Sequence, residues 1–137
     1  MSRPLYETSE DLGRERDVVA NIEKRWSCQA QKLPMRYKLD YALMRNGKVS
    51  AWAEIKCRGQ RYATYLISLD KVSAGLRLSE ISSLPFLIVV RYDDGTYYCT
   101  VTKDLVYDIE WGGRKDRNDP EDQEPVLMIP MKFFLPL

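Results

Sequence analysis

The sequence predicts a small α/β domain, and three observations carry that expectation. An apolar stripe at helical spacing lies near the N-terminus, two strand-like runs are joined by Asn46-Gly47, and the continuous apolar run Phe86-Leu87-Ile88-Val89-Val90 follows Pro85. The chain has 137 residues, 45% of them hydrophobic and 30% charged, which is enough for one buried core. No internal repeat or low-complexity linker divides it, so a single domain over residues 1–137 is expected.

Taken in order, Thr8 to Trp26 reads as the first helix. Thr8-Ser9 opens it, Glu10 and Asp11 suit the positive end of the helix dipole, and Val18, Val19, Ile22 and Trp26 form its apolar stripe. Gln31-Lys32-Leu33-Pro34 reads as a connection. Tyr37 to Met44 and Val49 to Cys57 read as strands of a hairpin, followed by a third strand, Tyr62 to Ile67. Ser68 is placed to cap a second helix running to about Ser82, with Leu69, Val72 and Leu76 on one face. Phe86 begins a buried central strand, and Asp93-Asp94-Gly95-Thr96 turns it into Tyr97 to Val101. Gly112 to Pro125, with Gly-Gly, two prolines and five acids, reads as a surface loop before a last short strand, Val126 to Pro130.

Several classes of function are excluded by what is missing. The chain contains no histidine, so His-based triads, paired-histidine ribonucleases and most catalytic zinc sites do not apply. Cys28, Cys57 and Cys99 are too few and too scattered for a disulfide framework or a CxxC zinc site, as expected of a reduced, cytoplasmic chain. Mean hydropathy is −0.43 and no apolar run approaches the roughly 18 residues of a spanning helix, so no membrane association is expected. The first residues lack the apolar region of a signal peptide. The net charge of +1 conceals a polarised chain. Between Arg14 and Arg61 there are 12 basic and 5 acidic residues, whereas Asp93 to Leu137 carries 5 basic and 10 acidic ones. A basic half of this kind points to a polyanionic partner.

The first hairpin brings chemistry-bearing residues to one face. Leu39, Tyr41, Leu43, Val49, Ala51, Ala53, Ile55 and Cys57 are all odd-numbered and nearly all apolar, so odd positions form the buried face. Odd positions of both strands share a face only if the loop holds an odd number of residues. That parity predicts a three-residue loop, Arg45-Asn46-Gly47, closed by a bulge at Gly47. Asp40, Glu54 and Lys56 then share the other face. Two carboxylates so close repel unless a cation sits between them, and hard oxygen ligands suit Mg²⁺ or Mn²⁺.

Leu39-Asp40, thirteen intervening residues, then Glu54-Ile55-Lys56 resembles the D…(D/E)xK core of the PD-(D/E)XK nuclease superfamily, which includes restriction endonucleases, resolvases and phage nucleases. The order of elements over residues 8 to 101 is similar to that family's αβββαβ core, so the resemblance implies a restriction-endonuclease-like fold with a mixed central sheet flanked by helices. Residues 102–137 lie outside it as a C-terminal extension. The resemblance further implies Asp40 and Glu54 as metal ligands joined by the backbone carbonyl of Ile55, with Lys56 as the catalytic lysine. Many members add a glutamate on the first helix, for which Glu15 is the candidate and Glu23 the alternative. Several branches place a Lys or Gln early on the second helix, where Lys71 stands, although alone it reads as a solvated helix residue. The usual proline before the aspartate is Leu39 here.

The expected function is a Mg²⁺- or Mn²⁺-dependent nuclease acting on DNA, as a homodimer or as a subunit of a larger nucleic-acid-processing assembly. Arg36, Lys38, Arg58 and Arg61, interleaved with Tyr37, Tyr41, Tyr62 and Tyr65, are the candidate backbone contacts, with Tyr41 read as core. Trp52 is expected to pack against the first helix. The competing expectation is a catalytically inactive nuclease-fold protein that binds nucleic acid or serves in assembly. In that case Asp40 and Glu54 are surface charges paired with Lys38, Lys48 and Lys56, and Glu15 belongs to an exposed Arg14-Glu15-Arg16-Asp17 cluster.

Overall fold

The computed structural model describes residues 9–34, 37–112 and 124–137, with side chains in the first helix described from residue 13 onward. Helix α1 spans Ser9–Trp26, followed by strands β1 (Gln29–Lys32), β2 (Tyr41–Arg45), β3 (Lys48–Cys57) and β4 (Thr64–Ser68). Helix α2 (Leu69–Ser82) precedes β5 (Phe86–Tyr92), β6 (Gly95–Val101), β7 (Asp108–Gly112), β8 (Glu124–Pro130), a short 3₁₀ turn and β9 (Leu135–Pro136). Among the described residues, no helix is long and apolar enough to cross a membrane. The expected cap at Thr8, the contact residue Arg36 and the body of the acidic loop, 113–123, lie outside the described residues.

Two sheets form. The larger has the order β1-β2-β3-β5-β6-β9 and is mixed, because β3 and β5 run parallel while their other neighbours run antiparallel. The smaller has the order β4-β8-β7. The α/β class and the helix–strand order agree with expectation, but β4 pairs with β8 instead of joining the larger sheet. The segment after Val101 is also part of the core. Leu127 and Ile129 are fully buried in one cluster with Phe86, Ile88 and Val90.

The central strands are buried on both faces, as a parallel pair demands. Val18 and Ile22 of α1 pack on Tyr41, Leu43, Ala51, Ala53 and Ile55. Val72 of α2 and the smaller sheet cover the opposite face through Phe86, Ile88, Tyr65 and Ile67. Trp52 lies on this second side, where its indole N–H donates to Ser82 Oγ at 3.0 Å, so it packs against α2 and not α1. Leu39 also joins the α2-side cluster. Residues 37–39 form a bend, and β2 begins only at Tyr41, so strand alternation does not reach Leu39.

The hairpin reaches the expected parity by another device. Asn46 and Gly47 both have positive φ, 52° and 74°, and Arg45 pairs directly with Lys48, which defines a two-residue turn. Such a turn alone would pair odd with even positions. The register then shifts, from Met44 opposite Val49 to Leu43 opposite Ala51, leaving Ser50 as the extra residue of a bulge. Ser50 Oγ donates to the Leu43 carbonyl at 3.1 Å and secures it.

Strand β1 occupies part of the expected connection, and β7 lies where no element was expected. Both are short and mostly exposed, so neither carries an apolar pattern. β1 is held by tertiary bonds, including Ala30 N–H to Glu23 Oε2 at 3.0 Å.

Helix α2 approaches β5 so closely at Gly75 that an added Cβ would overlap the fully buried ring of Phe86. Gly75→Ala should therefore destabilise the protein by roughly 1–3 kcal/mol despite alanine's higher helix propensity, as measured by urea unfolding. An unchanged or raised stability would contradict this packing.

Candidate active site

Asp40, Glu54 and Lys56 meet because of the hairpin register. Tyr41 pairs with Ala53, so one step further along the two chains sets Asp40 opposite Glu54 on the same face. Lys56 Nζ lies 3.4 Å from Glu54 Oε1 and 4.0 Å from Asp40 Oδ2. Asp40 is held just outside the strand, its carbonyl accepting from Leu33 N–H at 2.7 Å while Leu39 beside it is buried. The leucine thus anchors the position next to the aspartate.

Glu54 is 0% exposed, the sole buried charged residue among those described. Lys71 reaches it from the first turn of α2, with Nζ 2.5 Å from Oε1. Ser68 caps that turn by accepting from Lys71 N–H at 3.2 Å, and so positions the residue whose side chain meets Glu54. Burial pushes the Glu54 carboxyl above its ordinary value and Asp40 adds to the shift, while Lys71 and Lys56 oppose it. For Lys71, burial works against the charge, but the Glu54 and Asp40 carboxylates outweigh it and raise its pKa. Lys71, read from the sequence alone as a solvated residue, is thus brought into the cluster.

Two oxygens of this cluster, Asp40 Oδ2 and Glu54 Oε2, are buried without a hydrogen-bond donor. Such atoms are costly to bury, and paired carboxylate oxygens are the donor type a hard divalent cation takes. The peptide groups of β3 offer a candidate third oxygen. Trp52 N–H bonds Pro85 O and Arg58 N–H bonds Arg91 O, so even-numbered residues turn their peptide groups toward β5. By alternation, the Ile55 carbonyl turns toward the Asp40 side, beyond the last β2–β3 pair. Among the described residues, no three His, Cys, Asp or Glu side chains converge on one point. The two carboxylates, with a neighbouring backbone carbonyl, are the hard oxygen donors that suit an ion such as Mg²⁺, which retains waters.

Of the remaining candidates, Arg58 alone among those described shares the cleft, and Glu15, Glu23, Lys38 and Arg61 lie elsewhere. Glu15 Oε2 accepts from the Tyr41 hydroxyl at 2.7 Å and from Lys32 at 3.2 Å, so its contacts are with the α1 side and not with the lysine–carboxylate cluster. Glu23 ties α1 to β1. Lys38 pairs with Asp70 at 3.7 Å, and Arg61 pairs with Asp94 at 2.8 Å while its guanidinium lies over the Tyr97 ring. Arg58 stays exposed beside Glu54, Lys56 and Lys71 in a cleft of about 680 Å³, closed on its far side by β7 and β8. Tyr65 and Tyr41 are buried, whereas Tyr37 and Tyr62 are exposed.

An acid–acid–lysine cluster at the end of a mixed sheet between two helices is the arrangement of a PD-(D/E)XK nuclease. The fold is similar to that of Hjc, a Holliday junction resolvase from the archaeal hyperthermophile Archaeoglobus fulgidus, with a TM-score of 0.63, 15% identity, and coverage of 94% of this chain and 93% of that one. No curated protein sequence matches the chain. The family model described as "Phage putative PDDEXK endonuclease" matches residues 1–137, and the chain belongs to that family.

The raised pKa of Glu54 has a measurable consequence for stability without metal. Its folded value lies above its unfolded value, so its contribution to stability is complete below about pH 4.5 and is lost as pH rises through the folded value. Glu54→Gln lacks this loss. In chelator, urea unfolding from about pH 4 to about pH 8 should show the stability difference moving in favour of Glu54→Gln with rising pH. A pH-independent difference would contradict the buried-charge account.

Proposed function

We propose that the chain is a Mg²⁺-dependent phosphodiesterase that hydrolyses DNA, with Asp40, Glu54 and the Ile55 carbonyl holding the ion and Lys56 orienting the attacking water. The observation that carries this reading is the pair of buried oxygens without a hydrogen-bond donor, Asp40 Oδ2 and Glu54 Oε2, with Glu54 and its two lysines, Lys56 and Lys71, lining an open cleft. A divalent cation there, Mg²⁺ or Mn²⁺, would supply a water of lowered pKa and neutralise charge on the leaving oxygen.

The protein's own groups do the rest. Lys56, within reach of both carboxylates, holds a water in line with the phosphate and stabilises charge that develops there. Lys71 takes Glu54 Oε1 and leaves Oε2 for the ion, which fixes the carboxylate's orientation. Arg58 lies at the edge of the same cleft, where it positions the phosphate backbone. With no histidine in the chain, proton and charge handling falls to these lysines and carboxylates.

Nicking of plasmid or branched DNA should require Mg²⁺ or Mn²⁺ and fall on the order of 10²–10³-fold or more in Asp40→Ala and Lys56→Ala. Activity that survives both substitutions overturns the site. Metal binding has its own readout: Mg²⁺ at about 100 times its Kd should stabilise the folded chain by about 2.7 kcal/mol, and Asp40→Ala should abolish the effect. DNA binding without cleavage or metal stabilisation would instead mark the chain as an inactive nuclease-fold binding module. DNA affinity should fall steeply between low and moderate salt, with a log–log slope that becomes shallower by about one in Arg58→Ala.

A further inference from the structure

The cleft has two chemically different sides. Its floor is cationic, formed by Lys56, Arg58 and Lys71 around Glu54, while its far wall presents Glu110, Trp111 and Glu124 from β7 and β8. The wall's tryptophan differs from the other two in the chain. Trp26 packs edge-on against Tyr98 with ring centroids 5.2 Å apart, and Trp52 is hydrogen-bonded to Ser82. Trp111 is 65% exposed, its backbone is paired in β7 opposite Pro125, and among the described residues no aromatic ring or hydrogen bond holds its indole.

We infer that Trp111 is a specificity-determining contact that stacks on an unpaired DNA base next to the phosphate held on the lysine side. The inference rests on the nuclease reading of the same cleft and deepens it by naming a substrate class, single-stranded or flapped DNA. The charge layout sets the orientation. Glu110 and Glu124 repel phosphate from the wall, so the backbone follows the floor and the base turns toward the indole. A base within a duplex already has both faces stacked on its neighbours, so only an unpaired base offers a free π-face. Base–aromatic stacking is strong enough to select such a substrate and tolerates any base identity.

The test is binding in chelator, where no cleavage occurs, to a single strand, a flapped duplex and a fully paired duplex of matched length. Trp emission should be quenched by the first two and little by the duplex, and the quenching should be absent in Trp111→Phe, which keeps a stacking ring and most of the affinity. Trp111→Ala should lose on the order of tenfold affinity for the single strand and the flap while its duplex affinity stays unchanged. Quenching that persists in Trp111→Phe, or an equal loss on all three DNAs, overturns the stacking role and leaves the nuclease reading intact. Failure to bind any of the three overturns both. Because Trp111 is exposed, its variants should unfold at the wild-type temperature, and a lowered Tm together with uniform loss of binding would assign it a structural role instead.

Discussion

A carboxylate buried in the middle of the protein is the constraint around which the rest is arranged. Moving an isolated charge out of water costs several kcal/mol even after relaxation, and a glutamate in a central strand cannot reach solvent by bending. Glu54 stays there because Lys71 and Lys56 both approach one of its oxygens. Each lysine comes from a segment with a fixed place, one from two residues further along β3 and the other from the capped first turn of α2. The second oxygen has no such partner. The fold thus tolerates an electrostatic deficit at one point in the core, which is the usual signature of a site built for a ligand and not for stability.

The surrounding architecture follows from holding that point still. Pairing β3 in parallel with β5 buries β3 on both faces and makes a mixed sheet with helices on opposite sides. The apolar odd-numbered face packs on α1, and the face that carries the charged cluster is closed by α2 and the smaller sheet. Lys71 requires α2 to start where it does, and Ser68 sets that start. Gly75 lets the same helix settle onto Phe86 of β5. The second sheet then serves both purposes at once: Leu127 and Ile129 complete the core while β7 forms the far wall of the cleft. Core packing and the cleft wall are therefore supplied by the same small sheet.

The positive charge of the N-terminal half is distributed less simply than the composition suggests. Lys38 and Arg61 are engaged with Asp70 and Asp94 at exposed pairs, where solvent screens the interaction. Arg58 is the arginine that lies in the cleft itself. A long-range basic field acts over the whole molecule, whereas Lys56, Arg58 and Lys71 are the cations that line the cleft beside Glu54.

Much of this was legible in the linear sequence because it is local. The Asn46-Gly47 turn, the alternation along β3, the cap at Ser68 and the apolar run of β5 depend on neighbours a few residues apart, and they bring Asp40, Glu54 and Lys56 to one face. The turn and bulge show the limit: parity could be inferred, but a two-residue turn plus an extra residue at Ser50 satisfies it as well as a three-residue loop does. Weakly patterned strands were invisible for the same reason, since β1 and β7 owe their conformation to partners far away in sequence. The family resemblance marked Lys71 as a candidate, but its contact with Glu54 emerges only when α2 is laid against β3, as does the pairing of Glu15 with Tyr41 across 26 residues. The sequence by itself determined that Asp40, Glu54 and Lys56 share one face, because strand geometry repeats every two residues. Only the tertiary structure decided how deeply Glu54 is buried, which cations offset it and what lines the opposite wall, because burial and Coulomb interactions depend on distance in space and not on separation along the chain.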